Sequence, residues 1–344
     1  MLDWRVITEH IERSETLSVE DLMRELANLR ARSPEIGHEV TRYFSRKNRV
    51  NTFMRTSVSE QEKQKALLTD GTALGVWDIA EHIGSGGMGD VYKAKRNDGL
   101  YDQIVALKVI QRGDEDSLDR FEAERKRLAN LEHPGISRII DGGATQDGDP
   151  FMVMEYHDGV PIDEYVQSKD LSRRQILALF KPLCASTAYA HSKLILHRDI
   201  KANNVLVDGA SAVKLIDFGI AAAIGETKDG ETGPMTIAYA APEQLMRKAA
   251  SVGSDIFALG VLLHQLLTGA PQQRNSDGSV ELDHQSLNDA DLAAIISKAT
   301  VFNETDRYQS VTALADDIDA YLDTRPVLAR NGTCLLYTSD AADE

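Results

Sequence analysis

The run His197-Arg198-Asp199-Ile200-Lys201-Ala202-Asn203-Asn204, followed by Lys214-Leu215-Ile216-Asp217-Phe218-Gly219, constrains this chain more than any other stretch. It sets two carboxylates, an amide and a lysine close together in the sequence. Asn204 offers an amide oxygen and Asp217 a carboxylate, both hard ligands suited to Mg²⁺, an ion that keeps several waters and draws on phosphates for the rest of its shell. Asp199 would accept or orient a hydroxyl proton, and Lys201 can reach a transferring phosphate. Any three of these residues alone would read as a charged surface turn. The whole set in order, with strand-like Val205-Leu206-Val207 and Ala212 to Ile216 between, suits phosphoryl transfer, where positioning and charge neutralisation carry the catalysis.

A second anchor lies upstream, at Ile83-Gly84-Ser85-Gly86-Gly87-Met88-Gly89-Asp90-Val91-Tyr92, where glycines let backbone amides approach phosphates. The same glycine spacing occurs in dinucleotide-binding turns, but there the last glycine opens a helix. Here Val91, Lys93 and the later Val105-Ala106-Leu107-Lys108 alternate like strands, which favours a glycine-rich flap between two strands. Lys108 ends an apolar run and would project from a buried strand, so its ammonium needs a partner. Leu118, Phe121, Leu128 and Leu131 mark an apolar helix stripe that carries Glu122 and Glu124 as candidate acids. Glu124, on a different face from Glu122, is the expected partner.

With these motifs, the chain resembles the bacterial Hanks-type serine/threonine protein kinases over Trp77 to about Arg325. Further matches are Met152-Val153-Met154-Glu155-Tyr156, Ala241-Pro242-Glu243, Ser254-Asp255-Ile256-Phe257-Ala258-Leu259-Gly260 and Arg307-Tyr308. The resemblance implies an α+β, two-lobed fold: a small antiparallel β lobe with one helix over 77–155 and a large, mainly helical lobe over 156–325. ATP would lie between the lobes with Mg²⁺, or Mn²⁺, held by Asn204 and Asp217. Asp199, Lys201, Asn204 and Lys108 would be catalytic. Ile83 to Gly89, Val91, Ala106, Lys108, Glu124, Met154 as gatekeeper, Glu155, His157, Leu206 and Asp217 would bind the nucleotide. By the same resemblance Glu243 would pair with Arg307, and Asp255 would brace the catalytic loop.

By the same resemblance, Lys201 and Thr236, which sits where such kinases keep a threonine near the catalytic Asp, imply serine and threonine as acceptors. Arg198 beside Asp199 suggests a clamp for a phosphothreonine, with Thr227 and Thr232 as equal candidates. Protein substrates and self-association for autophosphorylation follow. Ala202 replaces a common proline, and Met235-Thr236-Ile237 replaces a more usual Thr-Pro; neither removes a reacting group. The alternative is a kinase-shaped switch that binds nucleotide without turnover, against which the intact Lys108, Asp199, Asn204 and Asp217 weigh.

A net charge of −16 argues against nucleic acid or an anionic membrane as a bulk partner. No run approaches the roughly 20 apolar residues of a membrane span, and no signal peptide opens the chain. Only Cys184 and Cys334 are present, so no disulfide framework is implied. The expected location is the cytoplasm, or the cytoplasmic face of a membrane.

Residues 1–70 form an expected helical region of open role. Trp4, Ile7 and Ile11 share one face, Leu22, Leu26 and Leu29 another, and Ser33-Pro34 starts a helix through Ile36, Val40 and Phe44. Arg42, Arg46, Lys47 and Arg49 fit a solvated helix end. Gln61 to Gly75 is the expected linker, its end reaching residue 76. At the other terminus, residues 326–333 resemble the exit of kinases that continue into a membrane helix and tetratricopeptide repeats. Cys334 to Glu344 looks like a translated sequencing adapter.

Overall fold

The computed structural model describes Ser33 and residues 68–331, apart from 87–88, 111–114, 219–237, 247, 271–272, 275–279 and 282–283. Backbone contacts divide the chain into Met1–Leu67 and Leu68–Glu344, and the second unit is the one described. The helices expected before residue 68, the flap residues Gly87 and Met88, the threonines 227, 232 and 236, and the tail from Cys334 lie outside the described residues.

An antiparallel sheet is built from β1 (Ala73–Leu74), β2 (Trp77–Gly86), β3 (Gly89–Arg96), β4 (Ile104–Ile110), β5 (Ile139–Ala144) and β6 (Pro150–Glu155), in the order β1-β2-β3-β4-β6-β5. The end of the stretch expected as linker thus carries a strand, which pairs Leu74 with Trp77 and buries Leu74. Alternation sorts the β4 side chains between two faces. Val105 and Leu107 join Trp77, Ile79, Tyr92, Phe151 and Val153 in one apolar cluster. Ala106 and Lys108 face the other way. Residues opposite one another in an antiparallel pair share a face, and the register sets Val91 against Lys108, Lys108 against Met152 and Ala106 against Met154. One wall of a cleft is therefore fixed by strand pairing. Only glycine fits at 89: its φ is 136°, and a Cβ there would meet the Val109 carbonyl oxygen at 1.9 Å.

α1 (Glu115–Leu128) follows β4 and buries Phe121 and Leu128. After β6 come β7 (Gly159–Pro161), α2 (Ile162–Lys169) and α3 (Arg173–Ser192). A 3₁₀ turn, Ala202–Asn204, then leads into β8 (Val205–Asp208) and β9 (Val213–Leu215), which with β7 form a three-stranded sheet. The helical part continues through α4 (Pro242–Leu245), α5 (Val252–Thr268), the short strands β10 (Gln273–Arg274) and β11 (Val280–Glu281), α6 (His284–Leu287), α7 (Ala290–Thr300), α8 (Val311–Leu322) and α9 (Leu328–Asn331). α5 is apolar nearly all round and buried from Gly253 to His264, as a helix at the centre of a core must be. Ser251 caps its start by accepting from the Ser254 N–H, and Gly269 in the left-handed conformation ends it. The chain adopts the two-lobed α+β architecture expected from the sequence.

Candidate active site

The loop that carries His197 to Asn204 hangs from α5. Asp255, 1% exposed, accepts the His197 N–H at Oδ2 and the Arg198 N–H at Oδ1, each at 2.8 Å. His191, at the end of α3, donates to the same Oδ2 at 2.8 Å. Burial pushes the Asp255 carboxyl up, but its partners together, the His191 hydrogen bond first and the His197 N–H among them, hold the group below its ordinary range. The brace permits Arg198 a φ of 68°, a left-handed conformation that a non-glycine residue keeps only when its surroundings impose it.

His197 is fully buried and joins the loop to the strand before Asp217. Its Nε2–H donates to the Ile216 carbonyl at 3.0 Å, and its Nδ1 accepts the Asp199 N–H at 3.3 Å. A ring with one donor and one acceptor is neutral, and burial holds this imidazole below its usual range against the pull of Asp255. The ring also lies 4.6 Å from that of Phe218.

Asp199 is 9% exposed. Its Oδ2 accepts from Lys201 Nζ at 2.6 Å and from Asn204 Nδ2 at 3.1 Å. Asn204 Nδ2 also donates to the Asp199 carbonyl at 2.8 Å, so the oxygen is the end of that amide able to serve a cation. The Ile216 N–H donates to the Asn204 carbonyl at 2.9 Å, which brings Asp217 beside the loop. Asp217 has a φ of 60°. The loop residues singled out in the sequence therefore meet at one place.

The partner of Lys108 is not the one expected. Lys108 Nζ donates to Asp217 Oδ1 at 2.5 Å and Oδ2 at 2.6 Å, whereas Glu124 lies 3.4 Å from Arg127, one turn along its own helix. Asp217 offers both oxygens to the ammonium across the cleft, a charge-assisted pair, while Glu124 stays beside Arg127. Glu124 is thus not among the groups that meet Lys108.

Ile83, Val91, Ala106, Lys108, Met154, Glu155, His157, Leu206 and Asp217 line one cavity between the lobes, together with Ser137, Tyr156 and Ile216. The last three were not singled out in the sequence, although Tyr156 and Ile216 sit inside motifs that were. Gly84, Ser85 and Gly86 do not line it; they pair with Val91, Asp90 and Gly89 along the β2–β3 hairpin. Lys214 Nζ lies 3.6 Å from Glu155 Oε2, and burial followed by the nearby Lys214 lowers the His157 imidazole.

In the large lobe Glu243 and Arg307 form a bidentate pair at 2.7 and 2.8 Å. Ser254 Oγ donates to Glu243 Oε1 at 2.8 Å. Burial pushes the Glu243 carboxyl up, but these partners, Arg307 first, hold it below its usual range.

These shifts give a signed pH dependence. The fold keeps His197 neutral, so only the unfolded chain takes up its proton, and stability falls as pH drops through the ordinary value of 6.5. His133 and His157, lowered chiefly by burial, add to the same loss. The depressed Asp255 and Glu243 contribute stability that is present above 3.8 and 4.5 and lost as pH falls below them. Urea unfolding from about pH 8 to about pH 3 should show both declines. A midpoint that holds steady between about pH 7.5 and 5.5 would contradict a neutral buried His197.

Comparison with known proteins gives one answer. A family model described as "Protein kinase domain" matches residues 77–323. The probable serine/threonine-protein kinase PknB of Lactococcus lactis subsp. lactis is 34% identical over 258 residues, covering 70% of this chain and 41% of that protein. Serine/threonine-protein kinase PrkC of Bacillus subtilis is 33% identical over 267 residues, covering 72% and 41%. The crystal structure of the Mycobacterium tuberculosis PknI kinase domain matches with a TM-score of 0.61 at 27% identity, covering 74% of this chain and 98% of that one. The chain spans about two fifths of the length of these curated relatives.

Proposed function

Because the chain belongs to the protein kinase family, we propose that it is a serine/threonine kinase that transfers the γ-phosphoryl group of Mg-ATP to hydroxyls of proteins. The observation that carries this reading is the meeting of Asp199, Lys201 and Asn204 beside Asp217 at one end of the lined cavity. Ile83, Val91, Ala106 and Leu206 offer an apolar slot for adenine, with the backbone of Glu155 and His157 at its edge. Asp199 orients the acceptor hydroxyl and takes its proton, and Lys201 lies where it can follow the charge of the moving phosphoryl group.

The donor set fits a hard divalent cation: a carboxylate at Asp217 and an amide oxygen at Asn204, too few for a closed cage and suited to an ion shared with phosphates. Such an ion, Mg²⁺ or Mn²⁺, supplies charge neutralisation of the phosphates. For Asp217 to hold it, Lys108 must let go and turn to the phosphates or to Glu124, an exchange in keeping with the lysine–glutamate pair active kinases require. Gly84 to Gly89 would cover the phosphates. The activation segment, with Thr227, Thr232 and Thr236, is the proposed site of autophosphorylation between copies of the chain. Among the described residues no helix is long and apolar enough to cross a membrane. A supply of ATP places the proposed activity in the cytoplasm or at the cytoplasmic face of a membrane.

The purified chain incubated with labelled ATP and Mg²⁺, followed by mass spectrometry, tests this. Label on the chain or on a protein substrate that depends on Asp199 supports the reading. Nucleotide binding without transfer, with Mg²⁺ or Mn²⁺, would replace it with the non-catalytic switch.

A further inference from the structure

A second cavity, of about 600 Å³, opens where the first turns of α3 and α7 meet the end of α8 and α9. It shares no lining residue with the nucleotide cleft. Its volume falls in the range of pockets that take small molecules. Arg174, Arg325 and Arg330 line it from three separate elements, α3, the α8–α9 loop and α9, and Asp291 is the carboxylate among its walls. The lining therefore carries a surplus of positive charge on a chain whose net charge is −16. A concave wall of one sign focuses the field on its interior and concentrates ligands of the opposite sign there.

The backbone behind these side chains is held in place. Asp317, 1% exposed, accepts the N–H groups of Leu328 and Ala329 at 2.7 and 2.9 Å and the Tyr308 hydroxyl at 2.7 Å, which anchors α9 and with it Arg330. The Arg325 N–H donates to the Ala320 carbonyl at 2.7 Å and fixes the loop on the end of α8. The Tyr321 hydroxyl donates to Asp289 Oδ2 at 2.7 Å, and Asp289 Oδ1 caps α7 by accepting the N–H groups of Asp291 and Leu292 at 3.1 Å. Tyr321 and the buried Val327 complete the walls.

The guanidiniums themselves are loosely engaged. Arg330 donates to Asp291 Oδ1 at 2.9 Å and Arg325 to Asp323 Oδ2 at 3.0 Å, and all four side chains are exposed. Ion pairs this exposed contribute little, so both arginines can turn to a ligand of higher charge. Arg174 is exposed and meets no acceptor among the described residues. A planar carboxylate engages one guanidinium fork at a time, whereas a phosphate presents oxygens in three directions and up to two charges, which suits forks arriving from three elements.

We propose that this cavity binds a small molecule carrying a phosphomonoester or diphosphate group. Arg174, Arg325 and Arg330 take the phosphate oxygens, Tyr321 and Val327 contact the body of the ligand, and Asp291, released by Arg330, accepts from a hydroxyl or amine on it. The inference goes beyond the kinase reading and does not depend on it, because no residue it uses belongs to the cleft.

Equilibrium dialysis of the purified chain against labelled pyrophosphate, without Mg²⁺, tests it. The cleft offers pyrophosphate another place, so each measurement is made on a Lys108→Met background, which withdraws the cleft ammonium. One saturable site with a Kd of about 1 mM or tighter is expected. Arg174→Gln and Arg330→Gln should each weaken it about tenfold, the effect of losing hydrogen bonds to a charged group. Lys169→Gln, which removes an exposed cation at the end of α2, should leave it unchanged. Binding that does not saturate by about 20 mM overturns the proposal, and so do arginine variants that bind as the background does. A phosphothreonine peptide that binds more than about tenfold tighter than pyrophosphate also overturns it, since the ligand would then be a phosphorylated protein.

Discussion

Asp199→Asn is expected to cut phosphoryl transfer by about 10²–10⁴ while leaving nucleotide affinity near that of the parent. The replacement has the same shape and can still accept from Asn204 Nδ2, so the loop should keep its path. It lacks the basic oxygen that takes the hydroxyl proton, and it no longer balances the Lys201 ammonium 2.6 Å away. Asp199 does not line the cavity formed by Ile83, Val91, Ala106 and Leu206, hence the separation of transfer from binding. Single-turnover transfer with labelled ATP, beside a nucleotide titration, measures the two independently. A variant that transfers as fast as the parent would remove Asp199 from the proposed role.

The largest expected loss of stability is that of Arg307→Met. Arg307 is 2% exposed and Glu243 9%. Besides both Glu243 oxygens, the guanidinium serves the carbonyls of Gly253, Val301 and Phe302. Methionine fills much of the volume but strands a carboxylate in the interior and gives up the guanidinium's bonds to those carbonyls. Breaking one side of such a pair costs about 3–5 kcal/mol. The companion Arg307→Met with Glu243→Leu should recover most of it, because no charge then remains to be buried. Urea unfolding at neutral pH reads both, and a single variant within about 1 kcal/mol of the parent would show that the pair contributes little.

Much of the fold was legible because strands and loops here carry local signals. Val105 to Lys108 alternates, so Lys108 and Ala106 belong on one face; pairing with Val91 and Met154 then completes a wall that periodicity alone could not close. The order of Asp199, Lys201, Asn204 and Asp217 foretold their convergence, since a 3₁₀ turn and a short hairpin leave them little room to part. What failed was the partner of Lys108. Glu124 sits on the expected helix, but which carboxylate meets an ammonium depends on where that helix packs, and no local pattern encodes that. Gln265 and His191 were invisible for a related reason. Each looks like one polar residue on a helix, and only the tertiary fold sets it against Tyr239 or Asp255.

The closed Lys108–Asp217 pair makes the two halves of a nucleotide unequal as ligands. On the proposed reading, adenosine would need only the apolar slot and could enter with the pair intact, whereas a triphosphate whose metal Asp217 holds would require that pair to open first. The measured affinity for the triphosphate is then its intrinsic affinity scaled by the fraction of molecules in which the pair is open. Whatever holds α1 so that Glu124 competes for Lys108 raises that fraction without touching the ligand. By reciprocity, a bound metal triphosphate would tighten the grip of a partner that holds the helix in that way.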